Sequence, residues 1–124
     1  MNALQIKPTA SSLAVLLNAE TGSFSFSGRS VSEHSAEFFK PVMEWMEQYA
    51  LAPAAKTECV FELEYFNSAA RKSLVEILKI LFALHKKGAE VVIVWNYDDG
   101  DESIKELGEE YANLFSMKFK FIAN

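Results

Sequence analysis

The chain has 124 residues, half of them hydrophobic, with 10 Phe and a formal net charge of −5. That length fits one domain with one good core, and the composition excludes a disordered segment. The acidic balance, with no run of Lys or Arg, excludes a nucleic-acid or anionic-membrane surface and makes a basic patch on another protein the natural charged partner.

The opening MNALQIKPTASS lacks the charged start and long apolar run of a secretion signal, and no apolar stretch approaches the length of a membrane span. A cytoplasmic protein without membrane insertion is expected. A short strand over Leu4 to Lys7 is optional. Two further strands, Leu13 to Leu17 and Ser23 to Ser27, flank the turn residues Asn18 to Gly22, which predicts a hairpin. In Phe24-Ser25-Phe26-Ser27, aromatic and hydroxyl residues alternate, so one face is buried and the other wet.

Phe38, Phe39, Val42, Trp45, Met46 and Tyr49 fall at helical spacing within Ser35 to Tyr49. Pro41 either interrupts this helix or starts a second segment, and both remain open. In the strand Thr57 to Phe66, Cys59, Phe61, Leu63 and Tyr65 alternate with Glu58, Glu62 and Glu64. Carboxylates along one side predict a sheet covered by helices on one face and open on the other. The lone cysteine, Cys59, reads as a buried, inert thiol.

Ala70, Leu74, Ile77, Leu78, Leu81 and Leu84 form the stripe of a long helix that ends at His85-Lys86-Lys87-Gly88, with basic residues at the negative end of the dipole. The apolar run Val91 to Trp95 predicts an interior strand, Asp101 to Phe115 a third helix, and Met117 to Ile122 a last strand. The predicted fold is α/β: an N-terminal hairpin continued as βαβαβ in a mixed sheet, with parallel neighbours after Thr57 and helices mainly on one face.

Chemistry has few places to reside. His34 and His85 have no Cys or His at metal-ligand spacing, and there is no phosphate-binding glycine loop or nucleophile elbow. Asp98, Asp99 and Asp101 could hold a divalent metal through their oxygens, but they also precede a helix, where carboxylates complement the dipole. The remaining candidate is Ser68, at the abrupt change from strand to helix in EYFNSAARKSLVEIL. Asn67 or Ser68 can cap the helix. Equally, a phosphate on Ser68 would lie beside the unpaired N–H groups of the first turn and add charge to an exposed point.

The segments SGRSVSEHSAEFFKPVMEW, ELEYFNSAARKSL and WNYDDGDESIKELGEEY to FKF together resemble the SiaC family of bacterial regulatory phosphoproteins, whose fold is STAS-like, as in anti-sigma factor antagonists. The resemblance runs from about Gly22 to Phe121 and implies one SiaC/STAS-like domain over residues 1–124. It implies a non-catalytic switch protein without cofactor or metal. A Ser/Thr protein kinase phosphorylates it and a PP2C-type phosphatase reverses this, controlling binding and activation of a diguanylate cyclase in c-di-GMP signalling and biofilm formation. The acceptor falls on Ser68, with Asn67, Ala69, Arg71 and Lys72 shaping the partner surface around it. Three departures stand out: serine where threonine is common at the acceptor, Ser32 in place of proline, and His34 in place of asparagine. The first bears on which kinase acts, the others on the surface beside the first helix. Two alternatives stand beside this reading: a STAS partner-switch module acting on an anti-sigma factor, and a small metal-dependent enzyme built on Asp98, Asp99 and Asp101.

Overall fold

The computed structural model describes residues 1–124. Strands β1 (Leu4–Ile6), β2 (Ala14–Asn18) and β3 (Ser23–Ser30) are followed by helix α1 (Ser35–Leu51), β4 (Lys56–Phe66), α2 (Ser68–Lys86), β5 (Glu90–Tyr97), α3 (Glu102–Phe115) and β6 (Phe119–Ala123). The optional first strand is present. The strands lie in sequence order across one six-stranded sheet. β1, β2 and β3 pair antiparallel, and β3, β4, β5 and β6 pair parallel.

This order explains the one-sided architecture. Each crossover from β3 onward steps the same way along the sheet, and right-handed crossovers stepping one way place every helix on the same face. Val15 and Leu17, Phe24 and Phe26, Cys59 and Phe61, Ile93 and Trp95, and Phe119 all point into the core beneath the helices. On the opposite face Glu58, Glu62 and Glu64 are exposed, as the alternation predicts. The β2–β3 turn is closed by Asn18, whose Oδ1 accepts from the N–H groups of Glu20 (2.9 Å) and Thr21 (3.2 Å).

Pro41 lies inside α1, which continues through it as one helix. Both Pro41 and Glu37, whose carbonyl loses its helical partner, are exposed, so water can satisfy the orphaned oxygen. All six predicted stripe residues of α2 are buried. Gly88, at φ 97°, ends that helix: its N–H donates to His85 O and that of Ala89 to Leu84 O. Beneath α1, the Tyr49 hydroxyl lies 2.7 Å from Thr57 Oγ1 and accepts from Ala54 N–H, so the buried threonine is satisfied.

Cys59 is fully buried, and burial pushes its thiol well above the ordinary cysteine range. Without a thiolate or a path to solvent, it should not react with thiol reagents in the native protein. A disulfide-exchange assay checks this: modification should track unfolding in urea, and rapid native labelling would refute the packing of β4.

One expectation fails. Tyr65 does not join Cys59, Phe61 and Leu63 in the core but is 50% exposed. The β3–β4 pairing steps from Gly28–Leu63 directly to Arg29–Tyr65, leaving Glu64 as an extra residue in β4. The bulge reverses the alternation, turning Tyr65 outward and Phe66 inward, where Phe66 packs edge-on against Phe39.

Candidate functional site

Because β3, β4 and β5 are parallel, their C-terminal ends lie along one edge of the sheet, and α1, α2 and α3 all begin there. That edge gathers the positive ends of three helix dipoles. Ser68 begins α2 in the middle of this row, since β4 lies between β3 and β5.

The strand-to-helix junction turns on Asn67, whose backbone is extended (φ −77°, ψ 172°). Its Oδ1 accepts from Ala70 N–H at 2.9 Å, so Asn67 is the cap. The same side chain donates through Nδ2 to Ser32 O at 3.0 Å, and its backbone N–H donates to Ser30 O at 3.0 Å. Asn67 thus joins the start of α2 to the β3–α1 loop. Within that loop Ser32 Oγ accepts from His34 N–H, and Ser32 O accepts from the Ser35 hydroxyl. Ser32 therefore lies beside the junction, with His34 two residues further along the same loop.

With the cap supplied by Asn67, the Ser68 hydroxyl makes no hydrogen bond and is exposed in the first turn of α2. Asn67→Ala should lower stability by about 0.5–2 kcal/mol. Ser68→Ala, at an exposed position that favours helix formers, should change it by less than about 0.5 kcal/mol. Urea unfolding of the two variants checks the assignment: a larger loss in Ser68→Ala would make the serine structural.

Of the other candidates, Ala69, Arg71 and Lys72 are exposed, while Asn67 is half-buried and committed to the junction. Arg71 and Lys72 take no part in an ion pair; the one pair in the chain is Lys79–Glu76, at 3.1 Å. Arg71 lines a cleft of about 290 Å³ together with Tyr65, Asp101 and Ser103. It also lines a second, on its α3 side, with Glu106 and Glu110. Its charge is felt at Tyr111, whose hydroxyl is pushed up by burial, pulled down by Arg71 and pushed up again by Glu110. Tyr65 thus belongs to this surface, although its place in the alternation assigned it to the core. The glycine in Ser27-Gly28-Arg29, within the neighbouring strand, was the available sign of a bulge.

The acidic turn serves the helix. Asp101 caps α3 by accepting from Ile104 N–H at 3.1 Å, and Asp98 O accepts from Asp101 N–H at 2.9 Å. Asp98, Asp99 and Asp101 do not come together as a group of three ligands able to hold a metal ion. The cap on α3 is the role of Asp101 that the carboxylate-and-dipole reading of this turn implied. His34 is exposed at the start of α1 and His85 in the last turn of α2, remote from one another in the fold.

Comparison with known proteins places these features in a family context. Residues 6–124 match the family model described as SiaC family regulatory phosphoprotein. The chain is 32% identical over 124 residues to an uncharacterized protein of Pseudomonas aeruginosa (strain UCBPP-PA14), covering 100% of this chain and 98% of the relative. Among solved structures it is similar to SiaC of Pseudomonas aeruginosa, with a TM-score of 0.90, 31% identity and 100% of both chains covered. A chain in the crystal structure of diguanylate cyclase SiaD in complex with its activator SiaC, also from Pseudomonas aeruginosa, aligns with a TM-score of 0.89 and 32% identity. That alignment covers 98% of this chain and 99% of the other. The mixed sheet with three helices on one face is therefore the fold of the family.

Proposed function

The chain belongs to the SiaC family of regulatory phosphoproteins, and from that premise we propose that it is a switch which binds and activates a diguanylate cyclase while Ser68 is unmodified. It is a regulatory protein and not itself an enzyme. The observation that carries the choice of partner is the similarity, over almost the whole chain, to a protein whose complex with diguanylate cyclase SiaD has been solved. The choice of site is supported by the Ser68 hydroxyl, which is exposed and free of the capping role.

In this reading a Ser/Thr protein kinase transfers the γ-phosphoryl group of a nucleoside triphosphate to Ser68 Oγ. The hydroxyl proton passes to a base on the kinase and the nucleoside diphosphate leaves. A PP2C-type phosphatase returns the serine by hydrolysis, releasing inorganic phosphate. The added group brings about −1.5 to −2 charges. At Ser68 it would enter a rigid surface, because Asn67 ties the junction to the β3–α1 loop. The switch then works by changing what can dock, without refolding. No helix is long and apolar enough to cross a membrane, and the proposed setting is the cytoplasm, where the cyclase finds its nucleotide substrate.

The test joins two measurements: mass spectrometry of the protein isolated from cells with the kinase active, and cyclase activity with each purified form. Phosphate on Ser68, and stimulation by the unmodified form alone, are expected. Phosphate found only at other residues would remove Ser68 from the mechanism.

A further inference from the structure

We propose that Arg71 and Lys72 form an intramolecular clamp for a phosphate on Ser68, a binding site completed only when the group is attached. The inference rests on the switch reading for the presence of that phosphate. It departs from it in assigning these two side chains to the chain's own phosphate rather than to direct contact with the partner.

Helix geometry brings the three residues together. Arg71 and Lys72 lie three and four residues beyond Ser68 in α2, the two spacings that bring side chains together on one face. Side chains in a helix lean toward its N-terminus, so both are long enough and placed to be drawn back over the first turn once a phosphate stands there. All three residues are exposed, and neither cation is held by an ion pair. The N–H groups of Ser68 and Ala69 have no carbonyl within the helix to receive them, whereas that of Ala70 is taken by Asn67. A phosphate on Ser68 would therefore meet free donors from the backbone and two free cations.

Arg71 gives the clamp a consequence at a distance. In the unmodified protein Arg71 borders Glu106 and Glu110 on its α3 side, and its charge offsets part of the rise that burial imposes on the Tyr111 hydroxyl. It also borders the cleft of Tyr65, Asp101 and Ser103. Drawing Arg71 toward Ser68 withdraws its charge from the α3 groove, leaving that groove more acidic. One phosphate thus alters two adjoining parts of the surface.

The experiment uses the full chain with phosphoserine incorporated genetically at position 68, so that no kinase is needed. Phosphorus NMR follows the second ionisation of the phosphate in the parent, in Arg71→Gln/Lys72→Gln, and in Lys79→Gln, a control for net charge. All altered side chains are exposed, and folding is verified by circular dichroism. Removing both clamp cations should raise the phosphate pKa by about half a unit or more, while Lys79→Gln should leave it near the parent value. Equal pKa values in the parent and the double variant would overturn the clamp. A rise as large in Lys79→Gln would overturn it too, since the effect would then be net charge alone. Binding of the cyclase is read separately: equal affinity for the phosphorylated and unmodified proteins would refute the switch, and the NMR result is independent of it.

Discussion

On the proposed switch, phosphorylation of Ser68 should reduce affinity for a diguanylate cyclase by about tenfold or more, a change of at least ~1.4 kcal/mol. The physical basis is the cost of desolvating a dianion where the proposed contact would otherwise receive a neutral hydroxyl. Truncating or mismatching a buried charged pair at an interface typically costs ~2–5 kcal/mol, so tenfold is the lower bound if Ser68 lies at the centre of the contact. Ser68→Ala should fold normally, since Asn67 supplies the cap, and should stimulate the cyclase whether or not the kinase is present. Ser68→Asp should act weakly, because one carboxylate has less charge and fewer acceptor oxygens than a phosphate. Titration calorimetry with the unmodified protein, the phosphoprotein and Ser68→Ala distinguishes these outcomes. Equal affinity across the three would return Ser68 to the role of an ordinary surface residue.

The same segment shows how far the residues speak for themselves. The alternation in β4 is a local property, and from Thr57 to Leu63 it identifies the buried face correctly. It misplaces Tyr65 because the bulge belongs to the pairing of β3 with β4, residues more than thirty positions apart in the chain. The choice of cap between Asn67 and Ser68 is open for a similar reason. Either side chain could accept the bond, and what selects Asn67 is its second bond to Ser32 O, across 35 residues. The stripe of α2, by contrast, needs only the helical period, and each of its residues is buried. Ser68 was legible as a candidate from the abrupt junction together with the family motif. The neighbourhood of Arg71 was not, because its clefts are made with β4 and α3, elements that sequence spacing does not bring near α2.

Gly108 is a further residue whose importance comes from a distant partner, and Gly108→Ala should destabilise the protein by about 1–3 kcal/mol, the usual cost of overfilling a core. In isolation the change would favour the helix by ~1 kcal/mol. Here a Cβ would stand 2.5 Å from Trp95 Nε1 and 2.7 Å from both Cδ1 and Cε2. Trp95 cannot readily yield. It is fully buried, packs against Phe61 and Phe119, and donates from Nε1 to Ile104 O at 2.9 Å. Relief must come from α3 moving off the sheet, which strains that hydrogen bond and shifts the helix whose first turn borders Arg71. Urea unfolding should therefore give a lower midpoint for Gly108→Ala. Combined with Trp95→Leu, which removes the indole, the added cost of the alanine should largely disappear, and this coupling is the specific signature of the contact. A stabilised Gly108→Ala, or strictly additive effects in the double variant, would show that α3 does not rest on Trp95 through this glycine.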